Sequence, residues 1–198
     1  TDALTAFGLK ASDSNHFADV MAQASSNSNT NVGIMGESFK YVAAMAGALN
    51  YSIEDTALAL GLMANAGVKG SMSGTALKSS LANLAKPTDT MAEAMDKYGI
   101  SLTDNEGNMK TLKGVMDDMR ESLGGLSETE QTAAATAMFG KEAMTGMLAI
   151  INASEEDYNS LASAINNADG AAESMADTMM DNLAGKLELL SGEWDETQ

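Results

Sequence analysis

The sequence predicts an all-α protein of about eight to ten helices. Three observations point that way. One proline in 198 residues leaves almost every stretch free to be helical. Helix-capping side chains recur just ahead of runs whose apolar residues fall three and four apart. Eighteen glycines punctuate the chain, several of them between those runs. One continuous helix would be roughly 300 Å long; the repeated caps and breaks favour short helices around a shared core instead.

The elements follow in order. Ser12 or Ser14 is placed to cap a first helix carrying Phe17, Val20, Met21 and Ala24. The polar run 25–31 is a loop, and Asn31 caps a second helix whose stripe is Met35, Phe39, Val42, Ala46 and Leu49. Ser52 caps a third, with Glu54 and Asp55 in the first turn, where the helix dipole favours acids. Residues 57–64 are small or apolar on every side, which places that helix in the middle of a bundle. Gly67 is set to end it and Gly70 to close the joint, both as positions needing a left-handed backbone.

A fourth helix carries Ala76, Leu77, Leu81 and Leu84 and stops at Pro87. Thr88 caps a fifth with Met91, Met95 and Tyr98. The helical pattern then breaks. Ile100-Ser101-Leu102-Thr103 alternates and 104–108 is turn-like, so a small β-hairpin or extended loop is expected near residues 100–110. Helix resumes with Leu112, Val115, Met116, Met119 and Leu123, and Gly124-Gly125 breaks it. Ser127 and Glu130 form a capping box for a helix ending near Phe139-Gly140. Further helices span about 142–151 and 154–167, and Gly170 precedes a last one running towards Trp194.

That last helix is the candidate interaction element. Met175, Met179, Leu183, Leu187, Leu190 and Trp194 form one apolar face, 19 residues over five steps. Glu173, Asp177, Asp181 and Glu188 lie largely off it. The mean step exceeds the 3.5 residues of a left-handed coiled coil, which disfavours a heptad dimer. The face either completes the chain's own core or meets a partner. The expected division is a helical core module, 1–170, and a C-terminal amphipathic helix, 171–198, leading into a longer helical region of a parent protein.

The search for chemistry returns little. A net charge of −17, from 28 acids against 11 bases, opposes binding to nucleic acid and to anionic membrane surfaces. No apolar run approaches the roughly 20 residues of a spanning helix. With one histidine, His16, and no cysteine, neither a zinc site nor a histidine-based triad is expected. The acids cluster as Glu54-Asp55, Asp117-Asp118 and Glu155-Glu156-Asp157, two of these at helix N-termini. Asp104-Asn105-Glu106-Gly107 lacks the twelfth-position glutamate of a calcium loop, since Val115 stands there. Gly67-Val68-Lys69-Gly70-Ser71 lacks the contiguous Gly-Lys-Ser/Thr of a P-loop. The 16 methionines fall mostly on apolar stripes and suit core filling. No catalytic, cofactor or metal residues are assigned. The opening Thr1-Asp2-Ala3 has neither an initiator methionine nor the basic start of a signal peptide, as in a fragment or processed chain.

Residues 41–77 resemble the core region of tailed-bacteriophage tail tape measure proteins. Asn65-Ala66-Gly67-Val68-Lys69-Gly70-Ser71 and Gly74-Thr75-Ala76-Leu77 are the most telling parts. Leu84-Ala85-Lys86-Pro87-Thr88, Tyr98-Gly99-Ile100, Gly107-Asn108-Met109 (with Glu106 where an Asp is common), Leu126-Ser127, Phe139-Gly140 and Asp169-Gly170-Ala171-Ala172 continue it. The resemblance implies a non-enzymatic structural module of a phage or prophage tail protein. Such a protein is made in the bacterial host cytoplasm and built into the virion tail. It takes part in tail assembly, sets tail length and leaves before DNA enters the cell. The implied partners are tail tube and tail assembly proteins and sister copies, with no direct nucleic-acid binding and no membrane contact by this piece. A helical protein-binding module of a secreted or cell-surface protein is the alternative, and a carboxylate enzyme such as a cell-wall hydrolase is a third reading.

Overall fold

The computed structural model describes residues 2–195, with side chains from residue 3 to residue 186. Among the described residues there are eleven α-helices. They are α1 (Asp2–Ala6), α2 (Ser14–Ser26), α3 (Val32–Ala48), α4 (Ile53–Asn65), α5 (Ser71–Ala85), α6 (Asp89–Tyr98), α7 (Leu112–Leu123), α8 (Glu128–Phe139), α9 (Lys141–Ile151), α10 (Glu155–Asn166) and α11 (Ala171–Asp195). The short α1 and a 3-10 turn at Ala11–Asp13 come before the first helix expected from the sequence. None of the described helices is long and apolar enough to cross a membrane.

The apolar run of α4 decides the architecture. Every residue from Thr56 to Ala64 is buried, and α2, α3, α5, α7, α9 and α10 surround the helix. A helix apolar all round has no face to give to water, so its neighbours must enclose it. The stripe of α3 buries Met35, Phe39, Val42 and Ala46. Leu77, Leu81 and Leu84 of α5, and Leu112, Val115, Met116, Met119 and Leu123 of α7, join the same core. Met35, Met95 and Met119 are all buried, in line with their place on apolar stripes.

Local chemistry sets the helix ends. The side-chain oxygens of Asn31, Ser52, Thr88 and Ser127 accept from the backbone N–H three residues on, at Ile34, Asp55, Met91 and Glu130. The Glu130 carboxylate completes the box by accepting from Ser127 N–H. Gly67 takes φ 87°. Its N–H donates to Ala64 O (3.0 Å) and Val68 N–H to Met63 O (2.9 Å), a Schellman ending. Gly70 opens α5 at φ 65°. Both glycines therefore sit in the left-handed region, as their placement in the sequence anticipates.

One local expectation, the cap of α2, needs correction, and the break expected near residues 100–110 is present. Neither Ser12 nor Ser14 caps α2. Asp13 occupies the cap position without a side-chain hydrogen bond, and the Ser14 hydroxyl is spent on Ala11 O (2.8 Å). Near residues 100–110 the chain forms an extended loop with one antiparallel bridge, Thr103 to Met109, and no longer ladder. The Asp104 carboxylate accepts from the N–H groups of Glu106 and Asn108, both at 2.9 Å, and closes the loop within five residues. Ile100 and Leu102 pin its base into the core.

Candidate functional site

The apolar face predicted on the last helix lies on α11, and the structure shows how that helix is held. Asp19 of α2 provides the cap. Its carboxylate accepts from Gly170 N–H (3.0 Å) and Ala172 N–H (2.8 Å), satisfying two N–H groups at the start of α11 with a negative charge at the positive end of the dipole. One turn earlier on α2, His16 hydrogen-bonds Glu54 of α4 through Nε2 (2.5 Å), and its Nδ1 lies 3.4 Å from Asp169. The hydrogen bond to Glu54 raises the histidine's pKa, the charges of Glu54 and Asp169 raise it further, and desolvation only partly opposes this. His16 and Asp19 thus tie the foot of α11 to the bundle.

Above that foot the helix crosses α2 and becomes exposed. Met175 is half-buried against α2. Every described residue from Ala176 to Lys186 is exposed, with Met179 at 66%, Met180 at 65% and Leu183 at 54%. Leu187, Leu190 and Trp194 fall on the continuing helix, but their side chains lie outside the described residues. Between α11, α2 and α3 runs an apolar groove of about 520 Å³. Phe17, Ala18, Met21 and Ala22 of α2, Val32 and Gly36 of α3, and Ala172, Met175, Ala176 and Met179 of α11 line it. Val32 is 42% exposed on its floor. The sequence carried no signal for Asp19, Phe17 or Val32 as parts of this site, because residues about 150 positions apart meet there.

A second polar cluster joins α4, α7, α9 and α10. Arg120 is 10% exposed. It donates to the carbonyls of Ile150 (2.9 Å) and Ala153 (2.7 Å) through Nη1, and to Glu155 Oε1 (2.9 Å) through Nη2. Its guanidinium lies 4.4 Å from the centre of the Tyr158 ring. The Tyr158 hydroxyl donates to Asp117 Oδ1 (2.6 Å), and Lys113 pairs with Asp117 Oδ2 (2.8 Å). Burial and the bond to Asp117 raise the Tyr158 pKa, and burial raises that of Asp55, which accepts from Lys113 N–H. Each predicted acidic cluster contributes a member here, and each member is tied to a base, a hydroxyl or a backbone N–H. The arrangement ties the end of α9 and the start of α10 to α7.

The motif carrying the family resemblance has a packing role. Gly67 and Gly70 shape the α4–α5 joint, Val68 is buried, and Gly74 brings α5 against the backbone of α3 beside a buried Ser38–Ser73 hydroxyl pair (2.9 Å).

Comparison with known proteins agrees with that motif. The chain is 39% identical, over 98% of its length, to the tape measure protein of Pneumococcus phage Dp-1. It is 27% identical, over 91% of its length, to the probable tape measure protein of Escherichia phage P2. It spans only 17% and 23% of the lengths of these curated relatives. No solved structure matches it. The family model described as phage-related minor tail protein matches residues 1–140, from α1 through the tight α3–α5 contact to the end of α8. The chain belongs to the phage-related minor tail protein family.

Proposed function

We propose that this chain is a non-enzymatic structural module of a tail tape measure protein. It takes part in tail assembly and tail length determination within the virion tail, and the parent protein is released before DNA enters the cell. The observation that carries the reading is the 39% identity to a protein named tape measure protein, spread over 98% of this chain and so over the whole helical bundle.

The proposal includes a division of labour between two parts of the chain. Residues 1–170 form a bundle stapled by Arg120 and centred on α4. The second part, 171–198, opens with α11, which Asp19 caps, and leads towards tail tube proteins, assembly proteins or sister copies. Its face of Met175, Met179, Leu183, Leu187, Leu190 and Trp194 serves that contact. The charge of −17 argues against direct contact with DNA.

An in-frame deletion of this segment from the parent gene in a phage, with tails measured by electron microscopy, tests the proposal. The expected result is failed tails, or tails shortened by up to roughly 300 Å if the segment is drawn out as helix at 1.5 Å per residue. Tails of normal number and length would refute it.

A further inference from the structure

We propose that His16 is a proton-operated latch for α11: charged, it fastens the α10–α11 joint to the bundle, and neutral, it lets α11 swing about Gly170. Such a latch would set the direction in which α11 leaves the joint. It rests on the foot of α11 alone and not on the tail role.

One ring stands between two carboxylates from different elements. Nε2 lies 2.5 Å from Glu54 Oε1 on α4, and Nδ1 lies 3.4 Å from Asp169 Oδ1 in the joint. A histidinium carries an N–H on each nitrogen and serves both acids. A neutral imidazole carries one. Kept by the closer Glu54, that N–H leaves a lone pair on Nδ1 facing the Asp169 carboxylate. Loss of the proton therefore turns the Asp169 contact from attraction to repulsion, with no cation left between the two acids.

No other charge stands in for the histidinium. On α4, Asp55 is turned to Lys113 N–H, and ahead of α2 Asp13 is turned to Lys10 N–H. Asp19, one turn along α2, is occupied in capping α11. The acids of α10 lie in its first turn, at the end away from the joint. Glu37 and Lys40 on α3 and Glu173 in the first turn of α11 form no ion pair with His16 among the described residues.

The joint can pivot. Ala168 is buried and anchors the end of α10, whereas the Asp169 side chain is 98% exposed. Gly170 takes φ 80°, with no atom within 4 Å of a Cβ placed there, so its backbone has room to turn. Beyond it α11 packs chiefly on α2, and every described residue from Ala176 to Lys186 is exposed. Few fastenings hold the foot, and His16 is one of them. Its side chain is 46% exposed, so water screens the latch. Its effect is that of an exposed ion pair, about a two- to fivefold shift between held and free α11.

The test uses the full chain, which has no cysteine of its own. Nitroxides at Lys78→Cys on α5 and Met180→Cys on α11, both exposed, report the position of α11 against the bundle. Pulsed electron paramagnetic resonance gives the distance distribution in samples frozen along a pH series from about 6 upwards. The NMR signal of the single histidine gives the titration of His16 in the same buffers, and circular dichroism checks the fold. The displaced population should rise about two- to fivefold, with the midpoint of the His16 titration. Glu54→Gln removes the strongest influence holding the proton, so it should move both midpoints to lower pH together. His16→Gln should show the displaced population throughout, without a transition. A distribution unchanged across the His16 titration would overturn the proposal. So would a transition that persists in His16→Gln, or one that stays in place when Glu54→Gln moves the titration. The Glu54→Gln comparison decides the matter even if His16→Gln loses its fold.

Discussion

Substituting Gly74 by alanine tests whether α3 and α5 are held by backbone contact. A Cβ at residue 74 would lie 2.2 Å from the Ser38 carbonyl oxygen and 2.9 Å from Tyr41 Cβ. The oxygen belongs to the α3 backbone and cannot swing aside, so the two helices must part by about 1 Å to restore ordinary contact. Overpacking of this kind costs about 1–3 kcal/mol. Stretching the neighbouring Ser38–Ser73 bond, now 2.9 Å, adds about 1 kcal/mol. Replacing glycine by alanine inside a helix returns about 1 kcal/mol. The expected net loss is about 1–3 kcal/mol. Gly36→Ala on α3 is the matched control. Its new Cβ meets Met21 Cε at 3.7 Å, an ordinary contact, so the helix term dominates and the variant should gain about 0.5–1 kcal/mol. Urea denaturation of both, with slopes compared to confirm that only stability has changed, gives the two signs. If Gly74→Ala is neutral or stabilising, close α3–α5 contact is not what this glycine provides.

Three further outcomes are expected. Gly67→Val should cost about 1–2 kcal/mol through its positive φ alone, because no atom lies within 4 Å of the added Cβ; thermal melts would show it. Arg120→Leu should cost about 2–4 kcal/mol by removing the donor of the Ala153 carbonyl and the guanidinium's bonds to Ile150 O and Glu155. Arg120→Lys should recover less than half, since one ammonium cannot span that fork. His16 binds its proton more tightly in the folded state, chiefly through Glu54. Its contribution is therefore fully present below the ordinary value of 6.5 and is lost as pH rises through the raised folded value. The stability gap between the native chain and His16→Gln should be widest in acid and shrink as pH rises above 6.5 in denaturation series.

What the sequence revealed was local. Asn31, Ser52, Thr88 and Ser127 cap within three residues of themselves, so each helix start was legible from a short window. The burial of α4 was legible too, because residues 57–64 offer no polar face. Ser14 misled because its hydroxyl bonds back to Ala11, a competing local partner that composition cannot distinguish from a cap. The groove and its foot were not legible. Asp19 caps a helix 151 residues away, and Arg120 reaches carbonyls 30 and 33 residues on, pairings that only the three-dimensional arrangement creates. The apolar face of α11 could be drawn from spacing, but not the fact that Met175 rests on α2 while Met179 and Leu183 face water.

The uneven burial of methionine gives this chain a built-in chemical footprint. Met35, Met63, Met116, Met119 and Met138 are at most 1% exposed, so peroxide cannot reach their thioethers without opening the bundle. Met179 at the groove and Met180 beside it on α11 are at least 65% exposed, as is Met72 on α5, and Met109 on the loop is 47% exposed. Brief oxidation of the folded chain should therefore add oxygen at these positions first. Any partner seated against the groove would shield the thioether of Met179 while Met72 and Met109 continue to react, so each peptide map carries its own reference. The same residues make the mouth vulnerable, because a sulfoxide at Met179 turns an apolar contact into a polar one, and oxidative damage could disable that surface while leaving the bundle intact.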